Sequence, residues 1–486
     1  MKSITFAVLL LTTLLIAGPV LGDAGVWTEA RHDSGNSGYA PGTGDMGKDI
    51  IEKWNYSGVS FLNHVLVADL DGDGENEVVT STPNQIDVLN GETGDIEWSC
   101  EIPRGSDDSY PHPISLVKIG DKYDILVGWG APEMMLEYGK DSPIWETDLA
   151  MGPDSDDFRF LWVGTAYSGD EAYGVVVLKD KYDGYPRFSP PLSDAGNSEI
   201  AVFDMRTGEA VWNATVPVFA ASSAVADLDA DGSDEIVVAG LGPKGGEDII
   251  KVFSTYGIEE WNVSCDFTGD DMYVGTVYIG DIAGDGSPEI VIGNLTGFSA
   301  FDNRGNLLWH SEIYGYAPYG NERYAMDWGA VVPGKGFVCV VPSTGDFYMI
   351  DGSGDVRKGN IDGAEFTAIP VSADMNGDGS VETLLTYNNV DGNTGDIAFI
   401  EFGDLQPDRI CSREGPMGSY IGVADVDSDG DIEILCTVEG QPNYLVVVDG
   451  YETVMEEVPL YSPMAFGAVL ILVVTVFYVK RRFGEN

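Results

Sequence analysis

An all-β fold made of about eight repeats of one four-stranded unit is what the sequence predicts, and three observations carry that prediction. An acidic nine-residue loop recurs five times, starting at Asp69, Asp227, Asp281, Asp374 and Asp425. The copies at 227 and 281 lie 54 residues apart and those at 374 and 425 lie 51 apart, while the intervals 281 to 374 (93) and 69 to 227 (158) are close to two and three such periods. Between the loops, short apolar runs alternate with period two and stop at Gly, Asp or Asn, which marks strands and hairpins, and the mature region shows no sustained helical periodicity. Four short strands per period, arranged in a closed ring, give an eight-bladed β-propeller, with seven blades as the alternative; closure leaves only short protected sheet edges.

Taken from the start, residues 1–22 read as an export signal. Lys2 supplies the positive charge, Ile4 to Ile16 is mostly apolar, and Val20-Leu21-Gly22 places small residues for cleavage before Asp23. The propeller is expected over 23–458. Its first strand, Ile50-Ile51-Glu52-Lys53-Trp54-Asn55, has the look of an outer strand with no acidic loop before it. It is therefore expected to complete the last blade, beside Tyr444-Leu445-Val446-Val447-Val448.

Full repeats have two halves. The loop half reads Asp69-Leu70-Asp71-Gly72-Asp73-Gly74-Glu75-Asn76-Glu77 and runs into Val78-Val79; the other half is a strand, a tight turn and a strand carrying Trp, as in Ile86 to Trp98 and Ile200 to Trp212. Shorter versions run from Val252 to Trp261 and from Phe298 to Trp309. The long intervals predict degenerate copies near 120, 170 and 330. Val117 to Val127, Phe160 to Leu178 and Trp328 to Val341 provide strand, polar turn and strand there. Asp180 to Asn197 is the longest irregular connection: either a specificity loop or a tolerated surface insertion.

At the other end, a short linker (459–463) leads to Met464–Val479, 16 uncharged residues followed by Lys480-Arg481-Arg482. That order predicts a transmembrane helix with a basic cytoplasmic tail (480–486) and everything before it outside. The expectation is an exported, single-pass cell-surface protein. The Pro463 to Gly467 stretch, apolar run and basic end also resemble C-terminal sorting signals of archaeal and bacterial surface proteins, in which the helix is removed.

With 80 acidic against 25 basic residues and a net charge of −55, nucleic acid is a poor partner, because its backbone needs clustered Lys and Arg. Cation binding suits the charge. Carboxylates at positions 1, 3, 5 and 9, with glycines where the chain turns, make an oxygen-rich loop for a hard cation, a backbone carbonyl at position 7 completing the set. The expected ligands are Asp69, Asp71, Asp73 and Glu77; Asp227, Asp229, Asp231 and Glu235; and Asp425, Asp427, Asp429 and Glu433. The copy Asp374, Asn376, Asp378 and Glu382 is short of one charge, and Asp281, Asp285 and Glu289 lacks a ligand at Ala283. Ca2+ is the expected ion, structural and in up to five copies; Mg2+ keeps its waters too firmly for so many rigid oxygens.

Asp-x-Asp-x-Asp-Gly-x-x-Glu loops with apolar flanks resemble the calcium-binding repeats of the integrin-α-like (FG-GAP/VCBS) propellers. The turn-Thr-Gly-x-x-x-Trp halves resemble quinoprotein (PQQ-type) repeats, as does Trp27 to Gly42 with Arg31-His32-Asp33-Ser34-Gly35-Asn36-Ser37-Gly38-Tyr39. The first resemblance implies structural calcium. The second implies an outer-strand Trp wedged between blades, and raises a PQQ-dependent redox enzyme as the alternative. Such enzymes seat the quinone over the central channel, commonly against adjacent cysteines, and this chain has no adjacent pair. No Gly-x-Ser-x-Gly elbow or His-Glu-x-x-His run is present either. The reading is thus a non-catalytic binding or adhesion protein for a protein or glycan ligand, with a redox enzyme or an assembly scaffold for exported proteins as alternatives.

Four sequons begin at Asn55, Asn213, Asn262 and Asn294, three of them directly after the repeat Trp, where an outermost strand leaves room for glycans. The five cysteines, Cys100, Cys265, Cys339, Cys411 and Cys436, include no Cys-x-x-Cys pair. An odd count leaves a thiol over; Cys411 with Cys436 is the first pair to test, against all five being small apolar residues.

Overall fold

The computed structural model describes residues 26–450, apart from 30, 47–49, 60–64, 103–111, 129–132, 148–157, 181–197, 217–218, 242–247, 266–273, 295–296, 314–327, 343, 390–393 and 441. The segments read as an export signal and as a transmembrane helix with its tail, and most of the Asp180–Asn197 connection, lie outside the described residues. Among the described residues there is no helix, and none that could cross a membrane.

Eight antiparallel sheets form the ring, so the eight-bladed prediction holds and the seven-bladed one does not. The first blade is Leu66–Ala68, Glu77–Thr82, Gln85–Asn90 and Ile96–Glu101. The three blades without acidic loops are where the period puts them: the second begins His112–Ile119 and Lys122–Gly128, the third Phe158–Ser168 and Glu171–Asp180, the sixth Gly329–Val332 and Gly336–Val341. The fourth, fifth and seventh follow their loops with Glu235–Leu241, Glu289–Asn294 and Glu382–Asn389 as second strands. Successive strands alternate in direction, so every acidic loop lies on one face of the ring. The two strands flanking residues 181–197 end on the other face.

The eighth blade closes the circle as expected. Ile50–Ser57 pairs antiparallel with Tyr444–Gly450, Ile50 opposite Gly450 and Ser57 opposite Tyr444. It joins the first blade through Tyr420, whose hydroxyl donates to the Val65 carbonyl at 2.6 Å.

Trp54 shows how the Trp-bearing strands join blades. Its indole nitrogen donates to the Gly91 carbonyl of the first blade at 2.7 Å, and a methyl group on Gly94, held at φ +72°, would sit 2.6 Å from its ring. The Trp145 ring lies as close to Gly208, that of Trp212 to Gly257, that of Trp261 to Gly305 and that of Trp309 to Gly354, each glycine belonging to the next blade and holding a positive φ. The Gly of the turn between a blade's third and fourth strands, in a Thr-Gly pair at Gly94 and Gly208, is therefore the seat for the preceding blade's Trp. Only a residue without a side chain fits that left-handed backbone and that close a ring.

Trp27 to Tyr39 departs from expectation. It is not a blade repeat. It runs around the axis and bonds the innermost strands of one blade after another. The Trp27 amide donates to the Val67 carbonyl (2.8 Å), and Leu116 N–H donates to Thr28 O (2.9 Å). Val225 N–H then donates to Ser34 O (2.8 Å), Ile279 N–H to Gly35 O (2.8 Å), Val331 N–H to Ser37 O (2.8 Å) and Ser372 N–H to Gly38 O (2.7 Å). Tyr39–Thr43 then lies parallel to Val371–Asp374, and Ile432 N–H donates to Thr43 O at 3.1 Å. The polar pattern that suggested a repeat exists because inner strands present unpaired backbone groups toward the axis, and this segment satisfies them.

Cysteine pairing is a second correction. Cys436 is a buried free thiol, so no disulfide joins it to Cys411, which sits half-buried on Arg409–Glu414 of the neighbouring blade. Cys339 is likewise buried, in line with the small apolar reading.

Candidate metal centres

Each acidic loop turns between the first and second strands of its blade, and the residue at position 2 sets where. Leu70, Leu228, Ile282, Met375 and Val426 are all buried, pinning the loop to the core. Position 9 then folds back. Glu77 accepts the Leu70 N–H at 2.7 Å, and Glu235, Glu289, Glu382 and Glu433 accept those of Leu228 (2.8 Å), Ile282 (2.9 Å), Met375 (2.8 Å) and Val426 (2.6 Å).

The amide of position 6 donates to the first Asp of every loop: Gly74 to Asp69 at 2.9 Å, Gly232 to Asp227 at 3.0 Å, Gly286 to Asp281 at 2.9 Å, Gly379 to Asp374 at 3.0 Å and Gly430 to Asp425 at 3.1 Å. Position 4 takes a left-handed conformation even where it is not glycine, at Ala230 and Ser428, both φ 61°. A shared hydrogen-bond pattern overrides the local cost of about 1 kcal/mol for such a residue.

These bonds gather carboxylates. One oxygen each from Asp69, Asp71 and Glu77 lies within 4.8 Å of the others, and the same holds for Asp227, Asp229 and Glu235; Asp281, Asp285 and Glu289; and Asp425, Asp427 and Glu433. In the seventh blade the close group is Asp378, Glu382 and Glu401, the last from outside the loop. Asp73, Asp231 and Asp429 are not members of these close groups; each accepts the amide of position 7, at 2.9, 2.8 and 2.9 Å. Asn376 is turned by two bonds. Its oxygen accepts Asp378 N–H (2.9 Å) and its Nδ2 donates to Glu382 (3.0 Å).

Crowding shows in the acidities. Burial, opposed by the Leu70 amide and reinforced by Asp71, raises Glu77 to about 8. Burial likewise lifts Glu235 to about 8, Glu289 to about 7, Glu382 to about 7 and Glu433 to about 9. Closely spaced buried carboxylates favour either protons or a cation. The Asp425 Oδ1 and Glu433 Oε1 atoms are buried with no hydrogen-bond donor. Donor set, spacing and unsatisfied oxygens therefore fit a hard cation.

The loops also tie blades together. Asn76 of the first loop donates to Asp425 O at 2.6 Å, Asn303 to Leu228 O at 2.9 Å, and Gly334 N–H to Asp281 O at 2.8 Å. Lys53 on the closing strand contacts Asp427, Glu92 and Asp449, bringing an ammonium beside the fifth loop. No local sequence pattern marked this role, since Lys53 and Asp427 stand at opposite ends of the chain.

Asn55, Asn213 and Asn262 are exposed on the outermost strands, their amides donating to Glu52, Glu199 and Glu259 at 2.6, 2.7 and 2.6 Å. Asn294 ends the strand Glu289–Asn294.

No protein-family profile matches the chain, and no curated protein matches it. Solved structures do. The Dos1 propeller is 10% identical with a TM-score of 0.47, covering 82% of this chain and 95% of that one. The WD40 domain of SCAP from fission yeast is 10% identical (TM-score 0.41; 82% and 98% covered), and the biofilm matrix protein Bap1 of V. cholerae is 14% identical (TM-score 0.35; 80% and 77% covered). At these scores the likeness carries no argument; the eight blades, the axis filled by the chain's own N-terminal segment and the five acidic loops on one face rest on the sheets and bonds described above.

Proposed function

We propose that this is a non-catalytic binding propeller, displayed outside the cell by its C-terminal anchor, stiffened by calcium in up to five blade loops, and presenting a surface for a protein or glycan ligand. The observation that carries the calcium reading is the recurrence of an oxygen-only carboxylate cluster at five places in the ring, with buried oxygens lacking donors in the seventh- and eighth-blade loops. The loops read as integrin-α-like repeats in sequence, and their bonds to adjacent blades support a stapling role. Against a quinone enzyme stands the axis. Where such an enzyme seats its cofactor, this chain threads Trp27 to Thr43, with Trp27, Glu29, His32 and Ser37 buried.

Calcium stabilises by mass action, each site contributing about 2.7 kcal/mol when free calcium is a hundredfold above its Kd. Adding chelator is expected to lower the unfolding temperature and calcium to restore it; an unchanged unfolding temperature refutes the calcium reading. A glycan and protein-ligand array probed with the full chain, with and without chelator, tests the binding role. A PQQ-dependent visible band together with dye-linked alcohol oxidation would overturn the non-catalytic reading.

A further inference from the structure

The loop of the seventh blade is the one whose third position is an amide. Asn376 Oδ1 is held by the Asp378 amide at 2.9 Å, the bond that the third-position acids accept at 3.1 Å in the first loop and 3.2 Å in the second. What remains pointing inward is the Nδ2 group, a donor, 3.0 Å from Glu382 Oε1. A cation cannot use it, and turning the amide over would break both bonds. The loop by itself therefore offers three carboxylates.

A fourth arrives from the next strand. Glu401 lies directly across the sheet from Glu382, and its carboxylate is within 4.8 Å of those of Asp378 and Glu382. It is half-buried, and among the described residues no side-chain hydrogen bond or ion pair engages it. The corresponding cross-strand residues in the first and fourth blades, where position 3 is an acid, are neutral: Asn90 faces Glu77 and Ser254 faces Glu235. In the eighth blade the acid nearest that position, Asp449, is met by Lys53 at 4.0 Å. Among the described residues Glu401 has no such counter-charge.

An independent sign of a missing partner is Asp374. Its residue is only 7% exposed, its Oδ2 takes the Gly379 amide at 3.0 Å, and its Oδ1 is buried with no donor. The Gly379 amide that holds Asp374 follows Asp378 in the chain, and Glu382 accepts the Met375 amide that follows Asp374, so the unsatisfied oxygen lies in the loop that also carries Asp378 and Glu382.

We propose that Glu401 is a cation ligand supplied from outside the loop, completing with Asp374, Asp378 and Glu382 a cross-strand calcium site in the seventh blade. It restores the fourth carboxylate, the one that Asn376 takes away. This rests on the calcium reading of the loops, and sharpens it by assigning a ligand that the nine-residue pattern does not contain.

The test measures calcium bound per full-length chain by equilibrium dialysis, over a range of free calcium, for wild type, Glu401→Gln, Asn376→Asp and the double variant. Glutamine preserves length and polarity, and circular dichroism checks the fold. Glu401→Gln is expected to weaken one site by about tenfold or more, as a lost ligand charge does, leaving the others unchanged. Asn376→Asp in that background is expected to recover it. Wild-type binding by Glu401→Gln, with calcium bound elsewhere, overturns the proposal while leaving the calcium loops standing. A double variant that stays as weak as Glu401→Gln overturns it too. A wild type that binds no calcium at all removes both.

Discussion

Glu29 is the residue on which the axial segment turns. Its Oε1 accepts from Ser34 Oγ (2.7 Å), the Thr165 amide (3.0 Å) and Ser115 Oγ (3.2 Å), tying the segment to the second and third blades. Burial dominates its acidity and raises it to about 7, with those hydrogen bonds pulling the other way. A carboxyl whose folded value lies above its unfolded value of 4.5 favours the folded state while protonated. Its contribution is fully present below about 4.5 and is lost as pH rises to about 7, a change on the order of 3 kcal/mol. Glu29→Gln keeps the accepting oxygen and removes the titration. Thermal unfolding of the variant is expected to be flatter than wild type between pH 4.5 and 7 and more stable above it; parallel profiles would refute the assignment.

Among elements, the hinge between blades is the Trp–Gly contact, and two glycines isolate it. Gly208 and Gly139 have similar backbones, φ +70° and +76°, but a methyl group on Gly208 would lie 2.8 Å from the Trp145 ring while one on Gly139 meets nothing within 4 Å. Gly139→Ala is expected to cost about 1 kcal/mol, the backbone term alone. Gly208→Ala adds displacement of a buried indole and is expected to cost about 2–4 kcal/mol, read as the larger drop in unfolding temperature. The acidic hairpins and Trp strands were legible because their signals are local: Leu70 beside two acids, Gly94 four residues before Trp98. Glu401 was not, because its relevance depends on which residue the sheet register sets opposite Glu382. The same holds for Lys53, which becomes a neighbour of Asp427 only when the ring closes.

At the scale of the molecule, the N-terminal residues do two jobs, lining the axis and supplying the last blade's outer strand. Removing 24–57 strips the inner strands of backbone partners and exposes the edge at Tyr444–Gly450. The unfolding temperature is expected to fall by well over ten degrees or the chain to fail to fold; an unchanged temperature would contradict the closure. The blade count could be read from spacing alone, including the three blades without acidic loops, since strand alternation persists where the acids do not. The path of Trp27 to Tyr39 could not. Its partners are scattered over the whole ring, and a polar, glycine-rich stretch reads as a turn until the strands around it are known.

That path bears on how fast the protein comes apart. Asn36 bonds to Ser223 and Val277, 187 and 241 positions away, and Tyr420 reaches Val65 across 355. Contacts this distant in sequence are slow to form, because the loops they close are long. They also couple the opening of one blade to the loss of contacts at the axis and at the seam. The first residues of the folded domain acquire their full set of partners only after the last blade exists. The product is a ring with a high barrier to unfolding, whose lifetime is set by the unfolding rate rather than by equilibrium stability.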